Sequence, residues 1–166
     1  MIIGPRRAAL IGTIAAVALA IIFYPLIIET PIDVSKVNFT LTGVTVQTDP
    51  TNDQNLIVKT TFNIKNDNDL TLTTSKIDYE LFANGTSIGS SSISYEDVPV
   101  NGRPALFANS TIPISDSMTV KYSDANASQF KALQNNSTNI SWRVQGSADI
   151  ESGTTLVTKE FTSTLK

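Results

Sequence analysis

The chain has 166 residues with 12 basic and 15 acidic side chains, a formal net charge of −3, and neither histidine nor cysteine. This composition excludes a disulfide framework, a thiol nucleophile, a Cys/His zinc site and a Ser-His-Asp triad. A sequence pI of about 4.8 does not fit a nucleic-acid partner, which a basic surface would bind. We find no Gly-rich phosphate loop and no nucleophile elbow, and we therefore expect neither enzymatic activity nor a cofactor.

The first predicted element is a transmembrane helix over residues 8–28. The 21 residues from Ala8 to Ile28 carry no charge, and a helix of that length covers roughly 30 Å, the thickness of a bilayer hydrocarbon core. Arg6 and Arg7 precede this stretch, and basic residues tend to stay on the cytoplasmic side. The pattern predicts a cytoplasmic N-terminus over 1–7, a helix in membrane lipid, a linker over 29–35, and an extracytoplasmic domain over 36–166 at the cell membrane.

A cleaved secretory signal is the alternative for this stretch, because the triplet Ala18-Leu19-Ala20 is similar to a processing site. The apolar run continues for eight residues beyond that triplet, which favours an uncleaved anchor. The anchored form would retain Ile2, and the cleaved form would lose it.

After residue 31 the sequence predicts seven short strands, because apolar residues recur at every second position. The alternation is most regular over Leu56–Ile64 and Ile140–Ile150. In the first strand the phase shifts at Gly43, which indicates a β-bulge. Lys159 lies on the apolar side of the last strand without an explanation. The other strands are expected over 37–46, 77–81, around 88, over 106–114 and over 157–165, and 48–55 is expected to be a polar loop.

Two local signals complete the predicted fold. Asn84-Gly85, between Leu81 and Ile88, is typical of a two-residue hairpin, since both residues tolerate positive φ. Residues 123–126 offer helix caps, and the apolar residues that follow recur at helical spacing, which predicts one short helix. We therefore predict an all-β fold: a seven-stranded antiparallel β-sandwich of the immunoglobulin/fibronectin-like type with one short helix, preceded by the transmembrane helix.

Four carboxylates are candidates for a calcium site, since hard cations prefer oxygen ligands. They are Asp49 and Asp53 in the polar loop, and Asp67 and Asp69 after the strand Leu56–Ile64. The spacing lacks the glycine and the terminal glutamate of an EF-hand loop. A solvated turn, in which Asp and Asn side chains bond their own backbone, is the favoured interpretation.

Glycosylation acceptors are unusually frequent in this chain. Seven asparagines lie in Asn-x-Ser/Thr triplets whose middle residue is not proline, and such triplets mark surface positions of secreted proteins. Chance occurrence in a Ser/Thr-rich chain is the alternative. The candidates are Asn38, Asn84, Asn109, Asn126, Asn135, Asn136 and Asn139.

A group of turn residues resembles a known family. Asn66-Asp67-Asn68 stands where that family has Asn-Pro-Asn, Asn84-Gly85 and Gly89 match a turn and a further glycine, and Pro99-Val100-Asn101-Gly102 matches a Pro-x-x-Gly element. The sequence over roughly 37–166 resembles the water-stress and hypersensitive-response domain of the group 2 late embryogenesis abundant proteins. Asp67 departs from this pattern, since it stands in place of the motif's proline.

The resemblance implies a β-sandwich and a non-enzymatic role in tolerating desiccation or osmotic stress, or a structural role in the envelope, often from a membrane-anchored position. It also implies that Asn66, Asn68, Gly85, Gly89, Pro99 and Gly102 make turns and contact no substrate. The implied partners are membrane lipid through residues 8–28 and envelope components or glycans.

Two other functions stay open at this point. Arg7-Ala8-Ala9-Leu10 before an apolar run is similar to the prepilin peptidase site of archaeal pilins, which would make the chain a filament subunit. An adhesion or ligand-binding module is the other, because β-sandwiches host many unrelated functions.

Overall fold

The computed structural model describes residues 5–28, 32–99, 102–124, 126–135 and 139–165, and in the first helix it describes side chains from residue 9 to residue 23. The chain divides into two units, unit 1 over Met1–Pro31 and unit 2 over Ile32–Lys166. Unit 2 thus includes Ile32–Ser35, which the sequence assigned to a linker.

Unit 1 contains the 24-residue helix α1, Pro5–Ile28. Its described large apolar side chains are exposed: Leu10, Ile11, Ile14, Val17, Leu19, Ile21, Ile22 and Phe23. Across the described part of the chain, no helix meets the length and hydropathy required to cross a membrane. A transmembrane helix over 8–28 is thus not confirmed.

Unit 2 begins with a 3₁₀ turn, Val34–Lys36, and its described residues contain eight strands and one α-helix. Alternating burial along the strands follows the predicted period of two; in β2, for example, Leu56, Val58, Thr60, Phe62 and Ile64 are all buried. The elements are β1 Val37–Asp49, β2 Asn52–Asn66, β3 Leu72–Ala83, β4 Thr86–Ser94, β5 Ala105–Leu106, β6 Ser110–Lys121, α2 Ala127–Gln134, β7 Trp142–Ser152 and β8 Thr155–Thr164.

The strands form two antiparallel sheets. Sheet A has the order β1-β2-β6, and sheet B has the order β4-β3-β7-β8 with β5 paired to the start of β3. The core lies between them, where Phe62 of β2 meets Tyr79 of β3 with ring centroids 5.0 Å apart. Phe39 of β1 stacks on Phe161 of β8 at 4.5 Å. These contacts between the sheets confirm the all-β antiparallel sandwich.

The predicted bulge and hairpin are both present. The β1–β2 register shifts between Leu41 and Gly43. Asn84 and Gly85 have φ values of 51° and 82° and connect β3 to β4. The predicted short helix is α2, and its buried side chains are Phe130 and Leu133.

The count of seven strands was wrong because the strand expected over 106–114 is two strands. β5 pairs with β3 in sheet B, whereas β6 pairs with β2 in sheet A. The chain changes sheets at 107–109, where Asn109 has a φ of 55°. A positive φ at a non-glycine residue leaves little trace in an alternation pattern.

Two smaller expectations also change. The polar loop over 48–55 is mostly strand, because Asp49 of β1 is the register partner of Asn52 of β2 and only a tight turn separates them.

Lys159 lies on the apolar side of β8 because its Nζ donates to the Val34 carbonyl oxygen at 2.6 Å. The aliphatic stem of the lysine can stay over the core while its charged end reaches that carbonyl.

Candidate functional site

The turn after β2, Asn66-Asp67-Asn68, is the centre of a buried hydrogen-bond network that we call the asparagine turn. Asn66 is fully buried. Its Nδ2 lies 2.9 Å from the carbonyl oxygens of both Leu70 and Leu106 and 3.2 Å from that of Phe107. The Asn66 side chain thereby ties the β2–β3 turn to the segment where the chain passes from sheet B to sheet A.

Asn68 extends this network to the start of unit 2. Its backbone N–H and its Nδ2 both donate to Asn66 Oδ1, at 3.0 and 3.1 Å. Its side-chain amide also makes a reciprocal pair with the Asp33 backbone, accepting from the N–H at 3.3 Å and donating to the carbonyl at 3.2 Å. Buried polar side chains need such partners, so both asparagines act as fixed internal connectors.

Asp67 replaces the proline of the resembled motif, and its backbone has a use that proline would lack. The Asp67 N–H donates to the Lys36 carbonyl oxygen at 2.9 Å. Its carboxylate lies 2.9 Å from Lys65 Nζ in an exposed ion pair, which contributes little to stability. The turn is therefore held by a backbone hydrogen bond to the segment before β1.

Arg103 directly follows the Pro-x-x-Gly element, of which Pro99 and Gly102 are described and residues 100 and 101 are not, and it contacts β7 of sheet B. The Gly102 N–H donates to the Pro99 carbonyl oxygen at 2.7 Å. Arg103 Nε donates to the Val98 carbonyl oxygen at 2.8 Å, and Arg103 Nη1 lies 2.5 Å from Glu151 Oε2. Both side chains of this ion pair are mostly buried. The sequence showed no sign of this pair, because its partners are 48 residues apart.

The remaining predicted turn glycines lie on β4 and at its start. Gly89 has a φ of 153°, a conformation that L side chains rarely adopt. It lies beside the shift in the β3–β4 register between Leu81 and Phe82. Gly85 occupies the hairpin turn described above. Both glycines therefore have backbone conformations that other residues rarely adopt.

The four candidate calcium ligands are not brought together. Asp49 and Asp53 lie at the β1–β2 hairpin, whereas Asp67 and Asp69 follow the other end of β2. Since β2 has 15 residues, the two pairs are separated by roughly 40 Å. The Thr51 hydroxyl and N–H both donate to Asp49 and hold its carboxyl pKa below the ordinary value. In the described part of the chain, no three carboxylates lie close enough to hold a metal ion.

The outer surface of sheet B forms a shallow polar groove of about 520 Å³. Asp78, Glu80 and Glu160 supply carboxylates to it, and Ser90, Ser92 and Ser147 supply hydroxyls. The Ser92 hydroxyl and the nearby Lys76 ammonium hold the pKa of Asp78 below its ordinary value. Such a surface offers many hydrogen-bond donors and acceptors.

Sheet A presents a second polar surface. Thr61 Oγ1 on β2 lies 3.0 Å from Ser115 Oγ on β6, and Thr42 Oγ1 on β1 donates to the Thr61 carbonyl oxygen at 3.2 Å. A row of side-chain hydroxyl groups therefore runs across all three strands of sheet A. Among the described residues of unit 2, the exposed large apolar side chains are Phe107, Tyr122 and Leu156.

The glycosylation candidates fall into two regions of unit 2. Asn38 is exposed near the start of β1, and Asn109 lies in the β5–β6 turn, where its Nδ2 is 3.4 Å from Asp69 Oδ1. The others lie toward the opposite end, around the β3–β4 hairpin and α2. They are Asn84, Asn126, Asn135 and Asn139; Asn136 lies outside the described residues.

Together these features define a class of protein: a β-sandwich whose β2–β3 turn is held by two buried asparagines and whose sheet surfaces are polar. The family model described as late embryogenesis abundant protein matches residues 61–163, which includes the asparagine turn, both turn glycines and the Pro-x-x-Gly element. The chain belongs to the group 2 late embryogenesis abundant family.

Comparison with solved structures finds distant likenesses. A crystal structure of a protein from Archaeoglobus fulgidus is 13% identical with a TM-score of 0.44, covering 75% of this chain and 94% of that one. An Arabidopsis thaliana protein with a solution structure is 15% identical in sequence with a TM-score of 0.49, covering 77% of this chain and 80% of that one. A protein provisionally described as late embryogenesis abundant is 16% identical with a TM-score of 0.37, covering 96% and 86%. No curated protein matches the chain significantly.

Proposed function

We propose that this chain is a membrane-anchored, outward-facing protein that protects the cell surface during desiccation or osmotic stress. The family match over residues 61–163 carries the proposal, because membership supports a stress-related, non-enzymatic role. Protection then depends on the surface of unit 2 and on its position in the cell.

The described surface of unit 2 supports this role because it offers many hydrogen-bonding groups and exposes few large apolar side chains. The hydroxyl row through Thr61 and Ser115 and the groove beside Asp78 can bond neighbouring molecules where water normally does. Few large apolar side chains are exposed among the described residues of unit 2. The domain should therefore have little tendency to aggregate as water is lost. Proteins and lipid headgroups beside the domain would then keep polar partners during drying.

The anchor is supported by the sequence and by the surface of α1. The stretch from Ala8 to Ile28 is uncharged and follows Arg6 and Arg7. The described large apolar side chains of α1, such as Leu10 and Phe23, are exposed. Lipid would cover them favourably, and the basic pair would keep the N-terminus in the cytoplasm.

The outward position is also supported by the seven Asn-x-Ser/Thr triplets, which suit a glycoprotein. Of the described asparagines in these triplets, all but the half-buried Asn126 are exposed, so sugar could reach them. Attached sugar would add further hydroxyls to an already polar surface.

Deletion of the gene tests the proposed function. We expect fewer surviving cells after drying or osmotic shock, with unchanged growth under well-hydrated conditions. Carbonate extraction should leave the native protein in the membrane fraction, and external protease should cut unit 2 in intact cells freed of their surface layer. Equal survival of the deletion strain would contradict the protective role, whereas release by carbonate would contradict only the anchor.

A further inference from the structure

We propose that, of the three fully described acceptor triplets at the α2 end of unit 2, those of Asn84 and Asn139 carry N-linked sugar and that of Asn126 does not. This inference rests on the proposed function, since it requires an outward-facing unit 2. Each asparagine begins an acceptor triplet whose three residues are all described: Asn84-Gly85-Thr86, Asn126-Ala127-Ser128 and Asn139-Ile140-Ser141.

The chemistry of transfer defines what an acceptor needs. A bond forms between the asparagine Nδ2 and the anomeric carbon of a lipid-linked sugar phosphate. The bond from that carbon to the phosphate oxygen breaks, the phosphate leaves with its lipid, and Nδ2 loses one proton. The amide nitrogen must therefore be accessible and must have space for a sugar ring beside it.

The structure brings Asn84 and Asn139 together although they are 55 residues apart in sequence. The Asn84 N–H donates to the Ser141 carbonyl oxygen, and the Ser141 N–H donates to Asn84 Oδ1, both at 2.9 Å. Asn139 lies two residues before Ser141 and is exposed. The hairpin and the segment before β7 thus form one edge that carries two acceptor triplets.

The Asn84 side chain is held in an orientation that suits transfer. Its oxygen is used by the Ser141 N–H, whereas its Nδ2 makes no hydrogen bond to any described residue. Its φ of 51° places it in the turn of the β3–β4 hairpin, and the side chain is exposed. Asn139 likewise makes no hydrogen bond to the described part of the chain. Within the described part of the chain, both side chains are therefore exposed and neither amide nitrogen is used by the fold.

Asn126 uses both ends of its amide in the fold. Its Nδ2 donates to the Lys121 carbonyl oxygen at 2.9 Å, and its Oδ1 accepts from the Ser123 N–H at 2.8 Å. The side chain is half-buried and closes the turn between β6 and α2. Transfer would replace one of the two Nδ2 hydrogens with a sugar ring in a half-buried turn whose amide is already bonded at both ends, so the folded turn opposes transfer.

Site occupancy can be measured on the full-length protein from its native host. Variants that alter only the third residue of a triplet leave each asparagine in place: Thr86→Ala, Ser141→Ala and Ser128→Ala. The backbone bonds of Ser141 with Asn84 survive its substitution. We expect glycopeptides at Asn84 and Asn139, loss of one glycan mass in each of the first two variants, and no glycan loss in Ser128→Ala, which is the matched control.

Two results would overturn the inference, and they separate it from the proposed function. A glycan on Asn126, or unmodified Asn84 and Asn139 in a chain that external protease cuts in intact cells, would refute the choice of acceptors while leaving the outward position intact. A chain that carries no glycan and is protected from that protease would refute the outward position as well.

Discussion

The Tyr79 hydroxyl donates to Asp116 Oδ2 at 2.9 Å, a hydrogen bond that runs from β3 of sheet B to β6 of sheet A. Ser91 Oγ of β4 donates to the same oxygen at 2.6 Å. β6 is an edge strand, and Asp116 lies on its inward side, opposite Thr60 of β2. An inward-pointing charge on an edge strand opposes pairing with another chain, so this contact both joins the sheets and protects the edge.

We predict that Tyr79→Phe lowers the free energy of unfolding of a fragment of residues 32–166 by about 1–2 kcal/mol. The substitution removes a hydrogen bond to a charged group and leaves Asp116 with Ser91 alone. Urea denaturation checks the prediction. Tyr122→Phe is the matched control, because Tyr122 is partly exposed and packs edge-on against Phe130, so its stability should hardly change. Equal losses in the two variants would show that the Tyr79 hydroxyl contributes nothing specific.

Alkaline pH should lower the stability of the domain through Tyr79. Burial, with a further contribution from the Asp116 carboxylate, raises the pKa of Tyr79 well above the ordinary value of 10.0. Above about pH 10 the unfolded chain loses this proton while the folded chain retains it, so stability falls as pH rises. We expect the wild-type fragment to lose more stability between pH 9 and pH 11 than Tyr79→Phe does, as measured by urea denaturation at each pH. A parallel loss in both proteins would contradict the shifted pKa.

Much of the fold could be predicted because it depends on local rules. The inward residues of β2 alternate regularly, and Asn84-Gly85 has the chemistry of a hairpin turn. The change of sheet at 107–109 could not be predicted, because it depends on distant contacts: Asn66 Nδ2 donates to the carbonyl oxygens of Leu106 and Phe107. An alternation pattern contains no information about such partners.

Substitution of a buried asparagine in the asparagine turn should cause a large loss of stability. We predict that Asn66→Ala destabilises the 32–166 fragment by about 2–4 kcal/mol, because it leaves the Leu70 and Leu106 carbonyl oxygens without their donor and Asn68 without its acceptor. Chemical denaturation measures the loss. In the control Asn52→Ala, an exposed side chain loses one bond to the Gln54 N–H, so the change should be about 1 kcal/mol or less. A similar small change for Asn66→Ala would refute its connecting role.

Restoring the proline of the resembled motif should not stabilise this chain. We predict that Asp67→Pro lowers the free energy of unfolding by about 1 kcal/mol, because proline cannot donate to the Lys36 carbonyl oxygen. Asp67→Ala retains the N–H and loses only an exposed ion pair, so it should stay within about 0.5 kcal/mol of wild type. Thermal unfolding of both variants separates the two effects. A stabilised proline variant would show that turn rigidity outweighs the lost bond.

The site was predictable only in part, for a related reason. The family motif identified Asn66 and Asn68 as turn residues, but the partners that make them buried connectors lie at Asp33 and Leu106, far away in sequence. In the sequence, the four scattered aspartates were compatible with a calcium site. The structure places the two pairs at opposite ends of β2, too far apart to share one ion. Spacing along the chain says little about distance when a 15-residue strand lies between two candidates.

Complementation of a deletion strain tests the central claim most directly. Cells that produce the full chain, or a variant lacking residues 5–28, would be dried and rehydrated, and the surviving fraction counted at matched protein levels. We predict that the full chain restores survival and that the shortened chain does not, because the proposed protection requires a domain held at the outer surface of the cell membrane. Equal rescue by both chains, or rescue by neither, would contradict the account.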